Sequence, residues 1–241
     1  MPPFARAVRG ALQFLTLFSL ALSGVAAERA TNPIESDYGK QPNHLEPISP
    51  ELEPSLGAYN QLLQKRLLPK MGDFGTFVFL PSFSGEMAVA IYGTDYTKSI
   101  PEEPRSFRIA VMRANKSLWN SMQDSKKRNQ PVRVTRTEIA IDRELAVAIQ
   151  RAWASMLLRT RYPSKAYRGL DGFTARFSVF VSGLGQLYGE TWSPRHGLPK
   201  EFVELGFAVV QYASANPEHR AKIRDKLVYR LQRFEHRVRN A

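Results

Sequence analysis

The chain has no cysteine among its 241 residues. No disulfide can therefore stabilise it, no thiol can act as a nucleophile, and a zinc site of the cysteine class is excluded. Lipid attachment to a cysteine is excluded as well. The fold must be held by its hydrophobic core alone, and an apolar fraction of 43% is typical of a chain that forms one.

Standard catalytic motifs are also missing. The sequence contains no G-x-S-x-G, no S-x-x-K and no P-loop. The histidines are few and scattered, at His44, His196, His219 and His236, and no two lie four residues apart on a predicted helix. These absences predict no metal site, no cofactor and no catalytic residue of a standard class. They favour a non-catalytic protein.

Residues 1–27 have the layout of a secretory signal peptide. Arg6 and Arg9 precede a mostly apolar run at 11–22, and small residues end the segment at Ala27. The apolar run is shorter than the roughly 20 residues that a membrane-spanning helix needs. We therefore predict cleavage after Ala27 rather than a retained membrane anchor. A periplasmic or secreted protein without a transmembrane span is the expected product.

The segment that follows predicts a linker and then one domain. Residues 28–54 contain five prolines among many polar residues, which is typical of an extended segment that buries little surface. Ordered structure is expected to begin at Ser55, a residue type that can cap a helix start. The predicted organisation is therefore a signal peptide at 1–27, a linker at 28–54 and a single domain at 55–241.

Acidic residues are scarce relative to basic ones. The chain has 34 Lys and Arg against 22 Asp and Glu, a formal net charge of +12. Loss of residues 1–27 removes two arginines and no acid, which leaves +10. Such a balance suits an anionic partner, such as a lipid headgroup, a cell-wall polymer or an acidic protein. Nucleic acid is not expected, because no nucleic-acid-binding motif is present.

The pattern of apolar residues predicts an α+β fold. Short runs that are apolar or that alternate, separated by turn residues, predict strands at 75–80, 86–93, 106–114, 132–141, 173–181 and 186–192. Apolar residues spaced by three or four predict helices at 55–67, 142–161, 201–214 and 217–238. We expect an antiparallel sheet of about six strands that packs against the last three helices, with Asp142 as a helix cap and Trp153 in the core.

Two short stretches hold the candidate site residues. In "YRGLDGFTARF", Asp171 could be an acid or a cation-binding carboxylate, or part of an Asp-Gly turn that fixes the entry to a strand. In "GETWSP", Glu190 and Trp192 should share one strand face, either to recognise a sugar or an amine or to close the core. If the two stretches pair as a hairpin, Asp171, Arg176 and Glu190 are expected to lie within reach of one another.

The last predicted helix has a basic exposed side. Its apolar positions recur every three or four residues, and Arg230, Arg233 and Arg237 lie among the positions between them. Basic amphipathic helices bind anionic lipid, which makes these arginines a candidate contact surface. The alternative is a packed helix whose basic side is only solvated.

The motifs "PSFSGE", "GLDGFTARF" and "GETWSP", taken together, resemble a family of uncharacterised exported bacterial proteins. In that family a GLDG segment leads into an aromatic strand and a G-E-x-W-S-P segment closes the hairpin. The resemblance covers about Gly75 to Phe234 and implies a domain of unknown function, so it assigns no activity. Ala175 and Arg176 stand here where such relatives carry a second aromatic, which makes an aromatic ligand cage less expected.

These observations favour a non-catalytic envelope protein that binds or supports an anionic envelope component. Two alternatives stay open. One is a hydrolase of envelope polymers that uses Asp171 and Glu190, which would require the two carboxylates to lie about 5–10 Å apart in a cleft. The other is an immunity or inhibitor protein that blocks a toxin or a lytic enzyme.

Overall fold

The computed structural model of the protein describes residues 42–48, 54–68, 74–96, 104–123, 131–163 and 171–241. The predicted signal peptide at 1–27 lies outside these residues. So does most of the predicted linker and the Gly169-Leu170 half of the GLDG segment.

The domain is built on one six-stranded antiparallel sheet, as the sequence pattern predicts. Its spatial order is β4-β3-β2-β1-β5-β6. The strands are β1 (Gly75–Pro81), β2 (Met87–Tyr96), β3 (Pro104–Ala114), β4 (Val134–Ile141), β5 (Phe173–Val181) and β6 (Gly185–Trp192). The first four strands form a meander, and β5 then pairs with β1 to bring the β5–β6 hairpin to the opposite edge.

Five helices lie in the described part of the chain and complete an α+β fold. They are α1 (Pro54–Leu67), α2 (Leu118–Gln123), α3 (Arg143–Leu157), α4 (Gly197–Ser214) and α5 (Pro217–Arg239). Asp142 caps α3 as predicted, because its Oδ1 accepts a hydrogen bond from the amide of Leu145 at 2.9 Å.

The main core lies between one sheet face and the three long helices α3, α4 and α5. Phe77 and Phe177 point from the sheet, and Phe202 and Phe234 come from the helices to stack beside them. Trp153 is fully buried among these rings, and its indole N–H donates to the carbonyl of Thr76 at 2.8 Å. The core role expected for Trp153 is confirmed. Its one polar group is satisfied by backbone rather than by a ligand.

The opposite sheet face carries a second apolar cluster that sequence analysis did not predict. Val78, Ala90 and Met112 from β1, β2 and β3 pack there against α1 and against Leu118 of α2. Residues 87–93 of β2 are consequently buried on both faces of the sheet, which explains why they are almost uniformly apolar. The helix α2 was missed because six residues are too few to show helical periodicity.

Part of the predicted linker belongs to the packed domain. Leu45 is fully buried and contacts the region around Gly189 of β6. Glu46 pairs with Glu190 through two backbone hydrogen bonds of 2.8 Å each. Asn43 accepts a hydrogen bond from the amide of Leu198 and so caps the start of α4. Leu45 is a single apolar residue between two prolines and forms no periodic pattern. The sequence therefore predicted little buried surface in this segment.

Candidate functional site

The three motif segments meet at the open end of the β5–β6 hairpin. The hydroxyl of Ser82, in "PSFSGE", donates to the carbonyl of Gly172 at 2.9 Å, and the amide of Gly172 donates back at 3.2 Å. The hydroxyl of Ser193, in "GETWSP", accepts from the amide of Phe173 at 2.9 Å. These bonds join segments that lie far apart in the sequence. The motif set therefore marks a structural junction.

Gly172 is required at this junction. Its φ of 147° lies in a region that side chains disfavour, and a Cβ there would come within 2.2 Å of the Ser193 hydroxyl. The partly buried Trp192 ring lies beside the same position, 3.1 Å from where that Cβ would be. Asp171 itself is exposed, and the hydrogen bonds that close the hairpin are made by Ser82, Gly172 and Ser193. The hairpin entry is thus fixed by two serines rather than by the aspartate.

Glu190 and Arg176 are brought together, as the hairpin pairing predicted. The two residues lie opposite each other in the register, and the Arg176 Nε donates to Glu190 Oε2 at 3.0 Å. The Arg176 Nη1 also donates to Asn60 Oδ1 of α1 at 2.6 Å. Glu190 is therefore a partly buried, ion-paired carboxylate that shares its strand face with Trp192, while Thr191 is buried on the other face.

Asp171 does not join that pair. Phe173 to Arg176 spans about 10 Å of strand at roughly 3.3 Å per residue, and Asp171 lies beyond Phe173. Asp171 and Glu190 are thus at different levels of the hairpin, and Glu190 already neutralises Arg176. The arrangement differs from the facing carboxylates that glycoside hydrolysis requires.

A buried carboxylate that sequence analysis did not single out is Glu86, the last residue of "PSFSGE". It is 1% exposed. Its oxygens accept from the Tyr59 hydroxyl at 2.9 Å, the Leu118 amide at 2.7 Å and the Trp119 amide at 3.1 Å. Burial and the adjacent carboxylate both raise the pKa of Tyr59 above its usual range, so the phenol stays a donor. Glu86 thereby links α1 and α2 to the start of β2, so its carboxylate serves the fold.

The exposed side of α5 carries the strongest charge feature. Lys222, Lys226, Arg230 and Arg233 follow at helical intervals of four, four and three residues, and all four are exposed. The opposite side of the helix is buried through Leu231 and its apolar neighbours. Within the described part of the chain, none of these four cations forms an ion pair. They constitute the α5 basic face.

Two basic residues beside this face, Arg224 and Arg237, are neutralised by acidic residues. Arg237, one of the predicted contact residues, pairs with Glu201 of α4 at 2.5 Å. Arg224 binds Asp142 through Nε at 2.8 Å and also contacts Glu144. The hydrogen bonds from Arg224, helped by the Leu145 amide, lower the pKa of Asp142 to about 2. Arg230 and Arg233 thus remain available for a partner, whereas Arg237 stabilises the α4–α5 contact.

The chain matches no known protein-family model, no curated protein and no solved structure. The described residues contain no group of three His, Asp or Glu side chains placed to hold a metal ion. None of the helices in the described ranges combines the length and apolar character that crossing a bilayer requires. The resemblance to exported bacterial proteins stays a prediction.

Proposed function

We propose that the protein is a non-catalytic binding protein of the cell envelope that contacts an anionic component through the α5 basic face. The observation that carries the proposal is the row of four unpaired cations at Lys222, Lys226, Arg230 and Arg233. At 1.5 Å of rise per residue this row extends over about 16 Å. Its charges face solvent and are not used to hold the fold.

The contrast with the other basic residues of α5 supports this role. Arg224 and Arg237 both have acidic partners on neighbouring helices, so acids are placed where they stabilise packing and are absent from the exposed row. A cation near an anionic surface contributes about 1 kcal/mol, which gives about 4 kcal/mol for four such residues. This energy is sufficient for reversible, salt-sensitive association.

Location and hairpin geometry support the same proposal. The predicted signal peptide directs the chain out of the cytoplasm and into the cell envelope. Anionic lipids and cell-wall polymers are the abundant polyanions of that compartment. The hydrolase alternative loses its geometric basis, because Glu190 is ion-paired to Arg176 and Asp171 lies at another level of the hairpin. In the immunity or inhibitor alternative, the partner would be an acidic protein. Such a partner would bind the same α5 basic face.

The test is a double charge reversal, Arg230→Glu with Arg233→Glu, compared with wild type in co-sedimentation with isolated cell envelopes at low salt. Loss of two favourable cations costs at least about 2 kcal/mol, so affinity should fall about 30-fold or more. The matched control is Lys65→Glu with Arg66→Glu on α1, which makes the same change in net charge at two other exposed residues. Equal loss in both variants, or no loss in either, would refute the α5 basic face as the contact.

A further inference from the structure

The sheet face that α1 covers is apolar at β1 to β3 and becomes polar at the β5–β6 hairpin. The apolar cluster beneath α1 includes residues of β1, β2 and β3. On the same face, β5 and β6 present Arg176, Ser178, Gln186 and Tyr188 instead. A cavity of about 540 Å³ lies between this polar floor and α1. Cavities of about 300–1,000 Å³ are the usual size of small-molecule sites.

The polar groups of the cavity are mainly amides and hydroxyls. Asn60 and Gln64 line it from α1, and Thr76, Ser178 and Gln186 line it from the sheet. Amide and hydroxyl side chains both donate and accept hydrogen bonds, so they suit a ligand whose own groups do the same. Sugar hydroxyls are such groups.

The charges beside the cavity cancel. Arg176 is its only charged lining residue within the described ranges, and this guanidinium is held by Glu190 at 3.0 Å and by Asn60 at 2.6 Å. An anionic ligand would have to compete with Glu190 for Arg176, and a cationic ligand would meet the guanidinium. The electrostatic balance therefore favours a neutral ligand.

Two further features point to a ligand with both hydroxyls and an apolar face. Tyr188 lines the cavity with about half of its surface exposed, which offers a ring for packing against a flat apolar surface. Gln186 Nε2 is shielded from water and has no hydrogen-bond partner. A ligand hydroxyl in the cavity would supply an acceptor after rotation of that amide.

We propose that this cavity binds a neutral saccharide. Its hydroxyls would pair with Asn60, Gln64 and Gln186, and the apolar face of a sugar ring would pack on Tyr188. The site is separate from the α5 basic face and does not depend on it. A protein that holds an anionic envelope component with one surface would then bind a glycan with another.

The test uses the purified protein and three neutral probes, chitotetraose, maltotetraose and cellotetraose, titrated by calorimetry and by amide chemical shifts. At least one probe should bind and shift the amides of Gln186–Tyr188 and of α1 near Asn60. Tyr188→Ala and Gln64→Ala should each weaken that binding about 10-fold. Gln64 is exposed on a helix surface, so its variant keeps the test valid if Tyr188→Ala fails to fold.

The matched control is Phe180→Ala. Phe180 is also about half exposed and lies on the same sheet face of the neighbouring strand, but it does not line the cavity, so its replacement should leave binding unchanged. Three results would overturn the proposal. These are no binding of any probe up to about 10 mM, an affinity insensitive to Tyr188→Ala and Gln64→Ala, or occupation of the cavity by dodecanoate in preference to every saccharide.

Discussion

Replacing Glu86 with glutamine should destabilise the fold more than any surface substitution of the same kind. The Glu86 carboxylate uses one oxygen for the Leu118 amide and the other for the Tyr59 hydroxyl and the Trp119 amide. A glutamine of the same shape has one acceptor oxygen and one NH₂ group. One of these buried donors must then face another donor.

The magnitude follows from the number of donors affected. A hydrogen bond to a charged group contributes about 1.5–3 kcal/mol, and a buried donor left without an acceptor costs about 1–3 kcal/mol. With Glu86 only 1% exposed, water cannot replace the lost acceptor. We therefore expect a loss of about 3 kcal/mol from Glu86→Gln, and a larger loss from Glu86→Ala because all of the donors lose their partner.

The assay is urea unfolding, in which the midpoint shifts while the slope stays constant for a variant that changes stability alone. The matched control is Glu204→Gln, an exposed glutamate of α4 that pairs with Lys200 across one helical turn. Exposed pairs of this kind contribute less than about 1 kcal/mol. A Glu86→Gln variant no less stable than Glu204→Gln would refute the role given to the buried carboxylate.

Two further predictions concern the hairpin junction and the α3–α5 contact. Gly172→Ala should cost about 2 kcal/mol or more in thermal unfolding, because φ is 147° and the new Cβ would meet Ser193; an unchanged melting temperature would contradict this. The Asp142–Arg224 ion pair should stabilise the fold fully above about pH 4 and lose its effect as pH falls toward 2, because the folded-state pKa of Asp142 is lowered from 3.8 to about 2. Since that carboxylate is 45% exposed, screening reduces the effect to about 1 kcal/mol. Asp142→Asn should remove this part of the acid sensitivity in urea unfolding, and an identical pH dependence in both proteins would contradict the assignment.

Local patterns of apolar, turn and capping residues were sufficient to predict most of the fold from the sequence. Short apolar or alternating runs between turn residues predicted all six strands, although only Ile139 is buried in β4, and the cap residue Asp142 located the start of α3. The proximity of Glu190 to Arg176 followed from the predicted hairpin, whereas Asp171, which was expected beside them, does not join the pair. These features depend on residues that are close in the sequence or in one hairpin.

The features that were missed depend on long-range contacts. Glu86 and Leu118 are 32 residues apart and Ser82 and Gly172 are 90 apart, so no local pattern links either pair. The cavity arises because α1 covers β1 to β3 and leaves the polar floor at β5 and β6 open. Asp171 was a candidate because Asp-Gly pairs favour turns. The backbone conformation at this turn instead requires Gly172, whose φ of 147° disfavours a side chain.

The central claim is that the α5 basic face binds an anionic envelope component, and a salt titration tests it most directly. Binding of wild-type protein and of the Arg230→Glu, Arg233→Glu variant to isolated envelopes would be measured from low salt to about 1 M NaCl, where the screening length falls to about 3 Å. The account predicts a difference of about 30-fold at low salt that disappears as salt rises. Equal affinities at low salt, or a difference that persists at about 1 M NaCl, would contradict it.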